Sequence, residues 1–406
     1  MSDNFTNDNP AIEGLESGEA HSGWCRNSEG QRVRPKLVRL SDVTEKPIEW
    51  LWHNKIPCGA LSLIAGLPGR GKTFFTIYLV DCVTNGVPWA DESPCKEGSV
   101  LVFEGEDGLA DTYKRRCREN AVNQERVVVL SGAEVFGQGY DTDVCLKDVA
   151  TIERAINDTA ERTGLPVKMV IIDPISNYWG KVSENSNAGV RSVLHPLKKL
   201  AEKTGIAFVL IQHLGKSARA SAQQRVLGST GITATCRAVW GIYEDPEDDD
   251  KRIFAFMKGN CGYDHTAVSF RILPPNGRVE ILETDIPKTA EDIETEIAAA
   301  QKAAKQGVIP KKLFVAAEWL VQYLADGPKL VNGVYADGQF QGHSERTLDR
   351  AKAELGIVSD KRGFGKESIT YWVLPVVDEP EQNDEGEDIG TRVFKRQLTD
   401  KDFEDP

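Results

Sequence analysis

The chain has 406 residues, 40% of them hydrophobic and 27% charged, with a formal net charge of −13. That length allows one large domain, a smaller one and tails. The negative balance excludes a surface that is a nucleic-acid footprint throughout, although a local basic channel is compatible with it, because residues 376–406 alone hold 11 Asp/Glu against 4 Lys/Arg. No apolar run approaches the length needed to span a bilayer, so no membrane association is expected. The N-terminus Met1-Ser2-Asp3-Asn4-Phe5 lacks the basic flank and apolar stretch of a signal peptide, and a cytoplasmic location is expected. The eight cysteines (Cys25, Cys58, Cys82, Cys95, Cys117, Cys145, Cys236 and Cys261) contain no C-x-x-C pair, which argues against a zinc site or a disulfide framework.

Residues 1–40 are rich in Asn, Ser, Gly and Glu without apolar periodicity, the composition of a disordered arm or loose wrap. The pattern changes from Lys46, and the run Ala60-Leu61-Ser62-Leu63-Ile64-Ala65 predicts a buried strand ending at a glycine. Residues 72–85 have helical spacing through Phe75, Leu79, Cys82 and Val83, with Gly86 placed to close the helix. Short Val- and Ile-rich strands are predicted at 99–103, 127–130, 167–172 and 207–212, with helices at 110–120, 148–163 and 190–204 between them. Such alternation predicts an α/β fold: a mostly parallel central sheet flanked by helices on both faces. Strands at 238–243, 252–257, 267–272 and 278–283 follow without long helices, so the sheet is expected to finish in antiparallel hairpins.

The main domain is placed at 41–285 and a helical linker at 286–310, with Thr289 as N-cap. A compact unit at 311–375 has helices at 313–325 and 345–355, the second capped by Ser344, and a strand at 368–374; this pattern suggests a small winged-helix domain with its wing at 360–368. An acidic tail, expected to be disordered, completes the chain at 376–406.

The strongest chemical signal is Gly66-Leu67-Pro68-Gly69-Arg70-Gly71-Lys72-Thr73, followed by Phe74, between a predicted strand and a predicted helix. Glycines let backbone amides turn inward around phosphate oxygens, the lysine reaches the β and γ phosphates, and Thr73 supplies a ligand for Mg2+. This Walker A pattern predicts ATP as the ligand. Asp173 ends the apolar run Met169-Val170-Ile171-Ile172 and would project from the sheet's C-terminal edge, a Walker B position able to hold Mg2+ through a water. Glu104 and Glu106-Asp107 follow another strand. They fit either a carboxylate that orients the attacking water or a solvated acidic turn. His213, at the end of the strand Phe208-Val209-Leu210-Ile211-Gln212, fits either a γ-phosphate sensor or a structural histidine.

Taken in order, Trp50-Leu51-Trp52, the Walker A, Glu106-Asp107, Asp111-Thr112 and Arg115-Arg116 resemble RecA-like ATPases related to the plasmid replicative helicase RepA. So do Ile172-Asp173-Pro174-Ile175-Ser176, Gln212-His213-Leu214-Gly215-Lys216-Ser217, Gly228-Ser229, Arg237 and Lys258-Gly259-Asn260. The resemblance covers residues 46 to 285, and the winged-helix-like unit also looks like companions of this family. It implies a RecA-like fold in which Glu106 is the catalytic carboxylate in preference to Glu104, and His213 is the sensor. Arg237 is implied as an arginine finger reaching a neighbouring subunit, Lys258 as a second cation acting in trans, and Arg116 as an arginine near the nucleotide. A homo-oligomer, a hexamer by the resemblance, with active sites shared between subunits follows from such residues.

The segment 214–231 is long, small and polar and carries Lys216, Arg219 and Arg225. In RecA-like rings the matching loop grips single-stranded nucleic acid; a plain surface loop is the other reading. In the C-terminal unit, Arg346, Arg350 and Lys352 lie on the expected recognition helix and Lys361, Arg362 and Lys366 on the expected wing. Yet 309–375 holds 9 Lys/Arg against 8 Asp/Glu, a balance that fits protein contact as well as duplex DNA. The expected activity is an ATP-hydrolysing motor, a helicase acting on single-stranded DNA in replication of a plasmid, phage or other mobile element. The alternative is a non-translocating, KaiC-like or recombination-accessory ATPase that controls partner assembly, with partners on the winged-helix unit and the acidic tail.

Overall fold

The computed structural model describes residues 24–136, 141–215, 225–226, 230–248, 250–260, 266–275, 277–305, 311–362 and 368–375. The chain divides into two compact units, Met1–Pro47 and Ile48–Pro406. In the first, part of the stretch expected to be a disordered arm carries a hairpin pairing Cys25–Arg26 with Arg32–Val33. Its turn is built by Asn27, whose side-chain oxygen accepts the N–H groups of Glu29 and Gln31, a local bond that apolar periodicity does not register. Residues 1–23 and the acidic tail 376–406 lie outside the described residues.

The second unit holds a nine-stranded sheet. In chain order its strands are β1 (Leu61–Gly66), β2 (Ser99–Glu104), β3 (Val127–Val129), β4 (Val167–Asp173), β5 (Ala207–His213), β6 (Ala238–Glu244), β7 (Lys251–Gly259), β8 (Ala267–Leu273) and β9 (Arg278–Ile286). Their spatial order is β3-β2-β4-β5-β1-β6-β7-β8-β9. The run from β3 to β6 is parallel and the last three pairings are antiparallel, as the loss of intervening helices predicted.

Helices cover both faces, and the two-residue period of each strand assigns its side chains. Leu61, Leu63, Val170 and Ile172 enter a core shared with α3 (Val149–Thr163) and α4 (Asn187–Thr204). Ile64, Met169 and Ile171 enter the opposite core, shared with α1 (Lys72–Asn85) and α2 (Lys114–Glu119). On that second face Trp52 stacks on Trp89 with ring centres 4.9 Å apart, and Phe75 of α1 stacks on Phe254 at 4.6 Å. These rings fix the first turns of α1 against the sheet, which holds the preceding loop in place. At its other end α1 stops at Gly86, whose left-handed backbone lets its N–H reach the Cys82 carbonyl. Among the described residues no helix is long and apolar enough to cross a membrane.

Beyond α5 (Thr230–Thr235) and the β6–β9 hairpins lies the helix α6 (Ala290–Lys305), with the Thr289 hydroxyl accepting the Asp292 N–H. A three-helix, three-strand arrangement follows: α7 (Lys311–Tyr323), β10 (Lys329–Leu330), α8 (Val331–Phe340), α9 (Glu345–Glu354), β11 (Val358–Arg362) and β12 (Ile369–Val373). Helix α8 is not legible in the sequence because Gly333 and Gly338 depress helix propensity. Gly338 has a packing reason: a Cβ there would run into Leu348 of α9. In the stretch read as a wing, Lys361 and Arg362 lie on β11, paired with Thr370 and Ile369; Lys366 lies outside the described residues.

Candidate active site

Four parallel strands deliver the site to one edge of the sheet. Gly66 at the end of β1 is in register with His213 at the end of β5, and Asp173 at the end of β4 with Glu104 at the end of β2. Parallel strands gather their C-termini on the edge where open α/β sheets bind ligands. Between β1 and α1 the loop turns through Gly69 and Gly71, with φ of +73° and +89°, a region costly for any side chain. At Gly71 an added Cβ would also meet Ile272. No side chain caps α1, so its first amides face the cradle as a phosphate site requires.

Lys72 is only 7% exposed. Its ammonium donates to the carbonyls of Gly66 at 3.1 Å and Leu67 at 3.2 Å, and to His213 Nδ1 at 3.1 Å. Burial lowers the lysine's pKa, with Asp173 and Glu106 opposing the shift. An ammonium has no acceptor, so Nδ1 of His213 must accept and the ring proton sits on Nε2. Burial, then the Lys72 charge, lowers the His213 pKa and keeps the ring neutral near pH 7. Nε2 in turn faces Glu106 Oε2 at 3.8 Å, too far for a direct hydrogen bond. Lysine, histidine and carboxylate thus form one line from the cradle to the acidic loop.

The residues present fit Mg2+. Thr73 Oγ1 donates to Asp173 Oδ2 at 3.1 Å, placing two hard oxygen ligands side by side at the cradle. Burial, with the Glu104 carboxylate next door, pushes Asp173 up to about 7 against the lowering effect of the Thr73 bond. A divalent cation at these oxygens favours the carboxylate form. Mg2+ commonly takes one or two protein oxygens and completes its shell with water and phosphate. No group of three or more His, Cys, Asp or Glu is arranged around a metal position among the described residues.

Beside the cradle a cavity of about 310 Å³ opens between Phe74, Arg116 and the β8–β9 turn at Pro274, Pro275 and Gly277. The Arg116 guanidinium lies 4.6 Å over the Phe74 ring and is held there by Asp107. The structure therefore brings together the cradle residues, Asp173, His213, Glu106 and Arg116.

Residues 28–219 match the AAA_25 family, described as an AAA domain. That stretch is similar to AAA-type P-loop ATPase domains and contains the cradle, the acidic loop, Asp173 and His213, a likeness that points to nucleotide hydrolysis. No curated protein matches the chain.

Outside the AAA-like stretch, Arg237 and Lys258 lie elsewhere. Arg237 precedes β6, and its N–H donates to the Leu61 carbonyl at the start of β1, the end opposite Gly66. Lys258, in register with Val239, comes to the same edge, its ammonium donating to the Thr233 carbonyl at 3.3 Å. The five steps of β1 from Leu61 to Gly66, at about 3.3 Å each, put roughly 17 Å between that edge and the cradle. Neither cation belongs to its own chain's phosphate site.

The reading of Arg225 as a nucleic-acid contact needs correction in this arrangement. Its guanidinium donates to Glu294 of α6 at 2.8 Å and to the Gly215 carbonyl, so the side chain is largely buried rather than offered outward. Lys216 and Arg219 lie outside the described residues.

The sequence reading missed the partner of Arg70. Its side chain turns from the cradle to Glu244 at the end of β6, a carboxylate that also lies 3.8 Å from Arg252 and 3.6 Å from Arg346 of α9. Contacts between residues so far apart in the chain leave no local signature. Lys352 of α9 lies 4.8 Å over the Trp372 ring.

Proposed function

We propose that the chain hydrolyses ATP at this site as a subunit of a RecA-like ring, a motor acting on single-stranded DNA in replication of a mobile element. The observation that carries hydrolysis is the convergence of Lys72, Thr73, Asp173, His213 and Glu106 at one sheet edge. The cradle amides and Lys72 would hold the β and γ phosphates, Thr73 and Asp173 would hold Mg2+, and Arg116 borders a cavity of suitable size for the base. Bound Mg2+ supplies charge neutralisation at the phosphate oxygens. Glu106 takes a proton from the attacking water, whose oxygen bonds to the γ-phosphorus as the bond to the ADP oxygen breaks. His213, which stands between Lys72 and Glu106, is the sensor of the γ-phosphate state.

Glu106→Gln should bind nucleotide with nearly unchanged affinity and turn over roughly a hundredfold or more slowly, because the amide cannot take the water's proton. Single-turnover hydrolysis alongside a fluorescent-nucleotide titration reads both quantities, and normal turnover in this variant would remove Glu106 from the role.

Sharing of the site between subunits is supported by Arg237 and Lys258, which stand on the edge away from their own cradle. A finger that cannot serve its own site has a use where a neighbour's cradle meets that edge. Our reading of the 311–375 unit as a winged helix, with α9 in the recognition-helix place, is supported by its order of three helices and three strands.

A second reading, the non-translocating regulatory ATPase, is favoured by one set of contacts. Arg225, Arg346 and Lys352 are engaged within the chain, with Glu294, Glu244 and Trp372. ATPase rate with and without single-stranded DNA, read with native mass, separates the two. The motor predicts a ring whose rate rises several-fold with the strand; a ring indifferent to DNA supports the regulatory ATPase.

A further inference from the structure

The acidic loop is held by contacts other than those of the Walker side chains. Glu104 ends β2, and one of its carboxylate oxygens, Oε1, accepts two backbone N–H groups, from Glu106 at 3.0 Å and from Asp107 at 2.8 Å. The residue between is fixed from the neighbouring strand and the turn after it. Gly105 N–H donates to the Asp173 carbonyl at 3.0 Å, and Asn177 Nδ2 donates to the Gly105 carbonyl at 2.7 Å. A Cβ at Gly105 would lie 2.8 Å from Asn177 Nδ2 and 3.1 Å from the Tyr178 hydroxyl, so a side chain there would displace the Asn177 amide. Arg116 then holds Asp107 by its carboxylate. The Glu106 side chain, in contrast, is 57% exposed and has His213 at 3.8 Å as its neighbour. Its own packing does not fix it; its backbone does.

From this geometry we infer that Glu104 is a positioning residue, with Asn177 as its second arm: together they set the backbone from which Glu106 meets the attacking water. The inference rests on Glu106 being the water-activating carboxylate. A carboxylate oxygen shared by two successive amides makes charge-assisted bonds stronger than a neutral turn would supply. It also uses Oε1 in a way that keeps Glu104 from turning outward to serve as the base. The other oxygen, Oε2, is buried with no hydrogen-bond partner among the described residues. The requirement on residue 104 is therefore an acceptor of this reach, whereas the requirement on residue 106 is a proton-accepting carboxylate.

That difference makes the roles separable by substitution. Glu104→Gln keeps a side-chain carbonyl able to accept both amides, and Glu104→Ala removes it. Misplacing a reacting group by about 1 Å costs on the order of a hundredfold. In the full-length chain, Glu104→Ala should lower kcat by roughly 10- to 100-fold with little change in fluorescent-nucleotide affinity, and Glu104→Gln should recover to within about tenfold of the parent. Asn177→Ala should give a smaller loss in kcat in the same direction. Thermal unfolding of each variant reports loss of fold separately from loss of turnover. If both Glu104 variants match the parent while Glu106→Gln is inactive, the positioning role is overturned and the assignment of Glu106 stands. If Glu104→Gln is as inactive as Glu104→Ala and Glu106→Gln is active, Glu104 is itself the base and the assignment of Glu106 fails. Equal, severe loss in Glu104→Gln, Glu104→Ala and Glu106→Gln overturns the positioning role as well, since an acceptor would then not suffice at residue 104.

Discussion

Lys72→Ala should bind triphosphate weakly and lose turnover by roughly a hundred- to a thousandfold or more, the range seen when a preorganised electrostatic donor is removed from a reacting centre. The reason is visible in the surroundings of the ammonium. It is a buried cation whose pKa burial has already lowered, so its charge is poorly screened and acts strongly on any phosphate that enters the cradle. Removing it also withdraws the donor that fixes the His213 ring, since Nδ1 accepts from Lys72. The loss should therefore exceed that from a screened surface lysine by orders of magnitude. A coupled-enzyme assay on purified protein measures it, with thermal unfolding as control: Phe75, Val80 and Val83 anchor α1 in the core without Lys72, so the variant should remain folded. Retained turnover would exclude the cradle as the site of hydrolysis.

Features set by short stretches of chain are legible in the sequence. The cradle glycines, the strand before them and the helix after them follow from local pattern, and so do Asp173 and His213, because an apolar run ending in a polar residue marks a strand's edge. Register between strands is non-local: that Asp173 stands beside Glu104, and His213 beside Gly66, depends on a strand order no periodicity contains. The same limit hides Glu244, which meets Arg70 from far along the chain. Helix α8 was missed for a different reason, since Gly338 lowers helix propensity while permitting the close approach of Leu348. Glu104 had a local signature, a strand-end carboxylate two and three residues before the amides it accepts, but that signature resembles a solvated acidic turn until its burial is known.

Arg237→Ala should abolish hydrolysis without abolishing nucleotide binding, a loss on the order of a thousandfold or more for an arginine finger. Binding should survive because the cradle, Lys72 and Asp173 lie at the far end of β1 from Arg237. Hydrolysis should fail because the transition-state charge next door loses its guanidinium. Alone, neither Arg237→Ala nor Lys72→Ala would turn over. Mixed, they form some interfaces in which an intact cradle faces an intact finger, and activity should return in proportion to those interfaces. If equal amounts assemble at random, about one interface in four joins a parental cradle to a parental finger, so the recovered rate should approach that fraction of the parent's if sites act independently and fall below it if the ring fires in sequence. A cation acting within its own chain predicts no recovery at any mixing ratio. Native mass spectrometry must find both variants in the same oligomer; a mixture that is so assembled and still inactive would refute the shared site. The roughly 17 Å along β1 between the Arg237 edge and its own cradle is the physical reason to expect recovery, because rotamer changes cannot span it and a neighbouring subunit can.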